Sequence, residues 1–286
     1  MALTNFDIRN FVIDHVLRGT MVSTTDNSVL WSLTQIQSPS LSMSSETVDA
    51  TDALGTKIMT FERAKEATFS AESAIFDVDL LAAQAGTKKQ RSGSDSVIKT
   101  PIFDTITLSQ ADIDAGMVKL SKVPVSIKNG EDAVSSLGEI FKLSGDSSLG
   151  KSYAPVTSGT SASADKFYIA ADSNELKIPT EMVAGEQIFA IYEYEANDVE
   201  GNGAIQVVNS AKNFPTNGKF ILEVLGADVC DSTTKVYAYL IFPNCKLSSA
   251  TDLSFETEMT QGFEIVANQD YCSFDNELWR LVIPEA

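Results

Sequence analysis

Histidine is nearly absent from this sequence, with one in 286 residues, and cysteine and tryptophan number only three and two. Each scarcity removes a class of chemistry. His15 is the single imidazole available to any Ser/His/Asp or Cys/His arrangement. It stands among Val12, Ile13, Val16 and Leu17, where a packed, hydrogen-bonded histidine is expected rather than a general base. Cys230, Cys245 and Cys272 are well separated, and no CxxC or HExxH occurs. Neither a disulfide framework nor a metal centre is expected, and the three read as small buried apolar side chains. Cations are short as well, 21 Lys and Arg against 39 Asp and Glu, for a net charge of −18. Such a surface repels duplex nucleic acid, because phosphate binding needs Lys and Arg to displace counterions, and it disfavours anionic lipid. No run approaches the ~20 apolar residues of a membrane span. Asp7, Arg9, Asp14 and His15 interrupt the N-terminal apolar stretch, so a secretory signal is not expected and synthesis in a bacterial host cytoplasm is.

What remains is a chain that is 43% hydrophobic and 21% charged, able to bury a real core. Strand signals dominate it. Short β-rich runs bounded by Ser, Gly, Asn or Asp lie at 29–37, 68–76, 105–108, 123–127, 166–170, 186–196, 219–226, 235–242, 252–259 and 278–283. The run at 188–194 alternates Ile188, Ala190, Tyr192 and Tyr194 with Phe189, Ile191 and Glu193, the mark of a half-buried strand. Trp31, Phe69, Phe189, Ile191, Phe220, Leu222, Tyr237 and Trp279 are the expected core. Helical signals are few: 76–86, closed by Gly86, and a weaker candidate at 131–143. An all-β sandwich or barrel follows, one domain over 1–286 with one or two short helices and a loop-rich central insertion at 125–185.

Two motifs point to chemistry and then fail on context. GDSSLGKS at Gly145–Ser152 matches the phosphate-binding G-x-x-x-x-G-K-[ST] pattern, which requires a helix opening at Lys-Ser. Here Pro155 and a Ser/Gly tract follow, so a plain loop is expected. The turn at 197–203 offers oxygen ligands but lacks the order and closing Glu of a calcium loop, and reads as a polar hairpin or loop. Among 39 acids no carboxylate pair stands out for glycoside hydrolysis, and both tryptophans fall inside apolar strand patterns. Neither an enzyme nor a cofactor is expected.

Several stretches resemble bacteriophage tail-tube proteins and related virion structural proteins. They are the turn Gly55-Thr56-Lys57-Ile58, the strand KEATFSAE at Lys65–Glu72, and LLAAQAG at Leu80–Gly86. AGEQIFAIYEYEA at Ala184–Ala196, FPTNGKFILEVLGADVCD at Phe214–Asp231 and the run Lys235–Ala267 continue the likeness in the same order. The resemblance implies an all-β fold of the tail-tube type, and subunits that assemble with copies of themselves into stacked, six-fold rings. It further implies a location in the virion tail, a bore through which DNA passes as non-specific cargo, contacts with other tail proteins such as a tape measure or sheath, and no membrane. The net charge makes an acidic lumen the expectation. Bore or intersubunit positions are expected in two segments. One carries Lys57, Glu62, Lys65, Glu66 and Glu72; the other carries Asp252, Glu256, Glu258 and Glu264. A capsid-associated or head-surface role, and a secreted all-β carbohydrate-binding or hydrolytic protein, are the alternatives.

Overall fold

The computed structural model describes residues 11–129, 132–197, 201–229, 235–250, 252–257, 259–269 and 276–284. The chain opens with strands β1 (Phe11–Ser23), β2 (Val29–Leu33), β3 (Ile36–Thr51) and β4 (Lys57–Ser73), then helix α1 (Val78–Gln84). Next come β5 (Gln90–Arg91), β6 (Ile98–Thr107), helix α2 (Gln110–Ala115), β7 (Met117–Lys119), β8 (Ser126–Asn129) and β9 (Asp132–Ser135). They are followed by β10 (Ile140–Leu143), β11 (Leu149–Pro155), β12 (Lys166–Ile169), β13 (Glu175–Lys177), β14 (Gln187–Ala196) and β15 (Ile205–Gln206). The last strands are β16 (Asn217–Asp228), β17 (Lys235–Leu247), β18 (Gln261–Ala267) and β19 (Arg280–Val282). The fold is nearly all β.

Two compact units divide the chain. The first combines Met1–Lys89 with Val207–Ala286, and the second is Gln90–Gln206. The inserted unit is therefore wider than the 125–185 expected. Ser/Gly-rich loops mark its interior, whereas its ends are set by β5 pairing antiparallel with β15.

In the first unit the sheet runs β2-β1-β16-β17-β18-β4-β3, with β19 also on β17. Its core is aromatic: Trp31, Phe69, Phe220, Phe242 and Phe263 are buried together. Ring centroids of Phe220 lie 5.6 Å from Trp31 and 5.5 Å from Phe69. Cys245 is buried beside them, and burial pushes its thiol up to about 12. Cys230 and Cys272 lie outside the described residues. Helix α1 begins where Asp77 accepts the Leu80 amide at 2.7 Å. It ends with the Thr87 and Gly86 amides donating back to Ala82 and Ala83, a closure that needs the left-handed φ of +65° at Gly86. A Cβ at Gly86 would also sit 2.4 Å from the Phe214 backbone. A buried Gln pair clamps the helix to the sheet. Gln84 Nε2 donates to the Gly262 carbonyl at 2.9 Å, and Gln261 Oε1 accepts the Asp77 amide at 2.9 Å.

The second unit has the sheet order β6-β14-β10-β11-β12-β13-β7 and its own core around Leu120, Ile140, Tyr153, Phe167, Leu176 and Ile188. Asp104, buried on β6, accepts from the Ser121 amide, the Ser121 hydroxyl and Tyr192 at 2.7, 2.8 and 3.0 Å. A buried carboxylate so fully bonded ties the edge strand to the loop after β7.

The structure corrects several expectations. The 131–143 stretch is not a helix: β9 and β10 occupy it, since Ser135, Ser136 and Gly138 break it and Ile140 and Phe141 pair with Ala190 and Phe189. At 123–127 the strand begins only at Ser126. The described residues of 252–259 form no strand beyond a single bridge from Leu253 to Gln261, because the chain turns back there to enter β18. Of the expected core, Trp31, Phe69, Phe220 and Leu222 are buried, Phe189 and Trp279 are half-buried, and Ile191 and Tyr237 are exposed. On β14 the buried face is Ile188, Ala190 and Tyr192, because alternation separates two faces without saying which one meets the core. His15 is exposed, not packed, with Nδ1 3.3 Å from Asp14 Oδ2. The first half of β1 lies beyond the stretch that β2 covers. Helix α2, absent from the sequence reading, carries a full capping box between Ser109 and Asp112.

Phe220→Ala should lower the stability of the first unit by about 3–5 kcal/mol. Both tryptophans belong to that unit, so urea unfolding followed by tryptophan fluorescence reads the change directly, and an unshifted midpoint would remove Phe220 from the core.

Candidate assembly surface

β3 and β4 form a hairpin paired from Ile36↔Ser73 out to Thr51↔Lys57. Only its base belongs to the core. Ala67, Phe69 and Ala71 are buried, whereas every residue from Thr51 to Glu66 is exposed. The turn is built by Asp52 and Gly55. The Asp52 carboxylate accepts the Leu54 and Thr56 amides at 2.9 and 2.7 Å, and Gly55 supplies a φ of +81° that a side chain would resist. The ribbon carries apolar side chains into water: Leu54 is 91% exposed, Ile58 68%, Met59 55% and Phe61 46%. A lone two-stranded ribbon is marginal in water, and exposed apolar groups in this concentration mark a contact surface.

The expected site residues fall into two places. Lys57, Glu62, Lys65 and Glu66 all lie on the outer ribbon and are exposed. Lys57 Nζ is 2.8 Å from Asp49 Oδ1, which also accepts the Thr60 hydroxyl at 2.8 Å. The hydrogen bond from Lys57, then that from Thr60, holds the Asp49 carboxyl below the usual aspartate range. Glu72, Asp252 and Glu264 instead share one shallow depression on the sheet of the first unit, with Ser38, Ser248 and Gly262. Glu72 stands opposite Gly262, and Ser70 opposite Glu264, along the β4–β18 ladder. Glu256 is exposed in the turn before β18, and Glu258 lies outside the described residues. Among the described residues, no three His, Cys, Asp or Glu side chains are placed to hold a metal ion. The sequence reading named the charges of the ribbon and missed Val48, Met59 and Phe61. Their signal was an alternation of apolar and polar residues longer than any one core layer could absorb.

The phosphate-loop look-alike is a strand turn. Ser144–Ser148 reverse the chain, with Asp146 accepting from the Ser148 amide and hydroxyl. Lys151 and Ser152 then lie in β11, where Ser152 pairs with Phe141 and Tyr153 with Ile140. Backbone amides committed to a ladder cannot converge on a phosphate. Lys151 is paired with Glu181, and its ammonium lies 4.9 Å from the Tyr153 ring centroid.

A two-unit β protein with no converged catalytic group among its described residues, and an apolar ribbon reaching past its core, has the build of an assembly subunit. The sequence model of the YomU/Tube protein family matches residues 11–269, and the chain belongs to that family. It is a phage tube-type structural protein of the virion tail. Comparison with curated proteins gives no match. No helix among the described residues is long and apolar enough to cross a membrane.

One measurement tests the ribbon and a second tests the strand turn. The lowered Asp49 carboxyl contributes stability above the ordinary aspartate range, and that contribution is lost as pH falls through its folded value. Carbon-13 NMR should therefore show Asp49 titrating below a free aspartate, and Lys57→Ala should move the midpoint up. Titration calorimetry with ATP or GTP should give no binding at Gly145–Ser152; micromolar affinity abolished by Lys151→Ala would contradict the strand-turn reading.

Proposed function

We propose that copies of this chain assemble into stacked, six-fold rings forming the tail tube, and that DNA passes along the bore. The observation that carries the reading is the β3–β4 ribbon, which extends beyond the subunit's own core with apolar side chains uncovered on residues 48–61. Subunits that pair strands with their neighbours bury such surface and remove exposed sheet edges together. The six-fold count and the DNA cargo rest on the likeness to tail-tube proteins. Contacts with a tape measure or sheath belong to the same proposal.

The sign of the bore follows from the charge. At −18 per subunit, a ring concentrates negative charge around its axis. Phosphates sliding past an acidic wall are repelled rather than held, so no ion pair must break at each step. Salt limits the repulsion to ~8 Å at physiological ionic strength, so it acts chiefly in a narrow bore. Glu72, Asp252, Glu256, Glu258 and Glu264 are the acids proposed for the bore or the seams.

Electron microscopy of the purified protein is the test. Rings or tubes with an acidic lumen are expected. A basic lumen, an isolated position on a capsid, or monomers at every concentration and ionic strength would overturn the reading.

A further inference from the structure

The ribbon changes face partway along. Near its base the apolar residues of β3 are Leu41 and Met43, at odd positions, opposite Phe69 and Ala67 of the core. Farther out they are Val48 and Ala50, at even positions, opposite Phe61 and Met59. Alternate residues of a strand share a face, so on β3 the apolar character crosses sides between residues 43 and 48. β4 keeps Met59, Phe61, Ala67 and Phe69 at odd positions, and Ile58 departs from that parity at a further register shift beside the turn, between Ala50 and Thr51. It follows the crossing by a change of backbone. Ser44 pairs with Glu66 and Glu46 with Arg63, leaving Ala64 and Lys65 together opposite Ser45. Ala64 has a φ of +46°, a left-handed conformation that a residue with a Cβ rarely adopts. This is a β-bulge, and one extra residue inverts the β4 side chains beyond it as far as Met59. One strand records the inversion in its sequence and the other in its backbone, and the two agree.

Beyond the bulge the ribbon is two-faced. One face holds Val48, Ala50, Met59 and Phe61, with Glu46 opposite Arg63 at its inner end. The other holds Thr47, Asp49, Thr51, Lys57, Thr60 and Glu62. The apolar face is the one that continues the subunit's solvent side at Ser42, Ser44 and Glu66, so the subunit's own core does not underlie it.

We propose that the bulge at Ala64 turns the outer ribbon over so that its apolar face seats on a second copy of this chain and its polar face meets the water of the bore. The proposal rests on the tube reading above. A second copy is the fitting occupant because each copy carries −18, and like charges oppose their contact unless the seam is uncharged. The Val48–Phe61 face is free of net charge, since Glu46 stands against Arg63. The opposite face, with Asp49 and Glu62 against Lys57, carries excess acid and suits the wall assigned to the bore.

Neighbouring residues 60 and 61 point to opposite faces, so a pair of single substitutions separates the outcomes. Phe61→Glu and Met59→Glu should raise the concentration needed for assembly at least about tenfold, a loss of ~1.4 kcal/mol, while Thr60→Lys, which sets a cation opposite Asp49, assembles as the unsubstituted protein does. All three sites are exposed in the subunit, and matching circular dichroism melts confirm that the variants fold. In assembled particles, a thiol at Thr60→Cys should react with a small maleimide above the background of the unsubstituted protein, and one at Phe61→Cys should be protected. If the unsubstituted protein forms tubes but Phe61→Glu assembles normally, or Thr60→Lys blocks assembly equally, the facing is overturned while the tube reading stands. If the unsubstituted protein never assembles, both fall.

Discussion

A two-stranded ribbon has two faces and no layer of its own to bury either of them. That constraint organises the first unit. Up to Ala67 the hairpin is one part of a broad sheet, and the cluster of Trp31, Phe69, Phe220, Phe242 and Phe263 covers its inner face. Past Ala67 the same two strands run on to the turn, and every residue from Thr51 to Glu66 is exposed among the described residues. The base supplies rigidity and the extension supplies area. The Gln84–Gln261 clamp sits at the right place to keep these roles separate, since it fixes α1 to the β18 strand that pairs with the base of β4.

Charge sets a second condition on the same element. A chain with an excess of 18 acids is kept soluble and apart by its own field. On the ribbon the charges are largely settled locally, Lys57 against Asp49 and Arg63 opposite Glu46. Exposed pairs of this kind add little stability. Their consequence lies in what they remove: the outer ribbon presents apolar surface without a strong field over it. The uncompensated acids Glu72, Asp252 and Glu264 sit elsewhere, grouped in the depression beside β18. The apolar face proposed for contact and these three acids thereby lie on different patches of one sheet.

Strand content was legible because β14, β16 and β17 combine β-branched and aromatic residues with sharp boundaries. Helix α1 was legible because Gly86 marks its end. Facing was not. Ile191 and Tyr237 belong to alternating runs as regular as those of Ile188 and Phe220, yet they lie on the solvent side. Period two defines a pair of faces, and only the sheet's neighbours decide which is buried. The 252–259 run misled for a related reason: Leu253, Phe255 and Met259 alternate like a strand, but among the described residues the pairing stops at the single bridge to Gln261, and Phe255 is left exposed. Helix α2 was missed despite its Ser109–Asp112 box, since six residues give too short a period to register. For the candidate surface, the sequence pointed to Lys57–Glu72 and named its charges. It hid the apolar half because the crossing between Met43 and Val48 looks like lost periodicity until the bulge at Ala64 accounts for it.

The inserted unit shows how a sheet with such an exacting layout tolerates a large addition. Its first and last strands, β5 and β15, pair with each other, Gln90 with Gln206 and Arg91 with Ile205. Ser92 reinforces the closure, donating its amide to the Ala204 carbonyl and accepting the Ala204 amide on its hydroxyl, each at 2.9 Å. The chain therefore leaves and re-enters at one point, as a short loop would. The inserted unit is thus closed at its own neck and carries its own core around Ile140 and Phe167. The register of β3 and β4, and with it the position of the bulge, is then set entirely within the first unit.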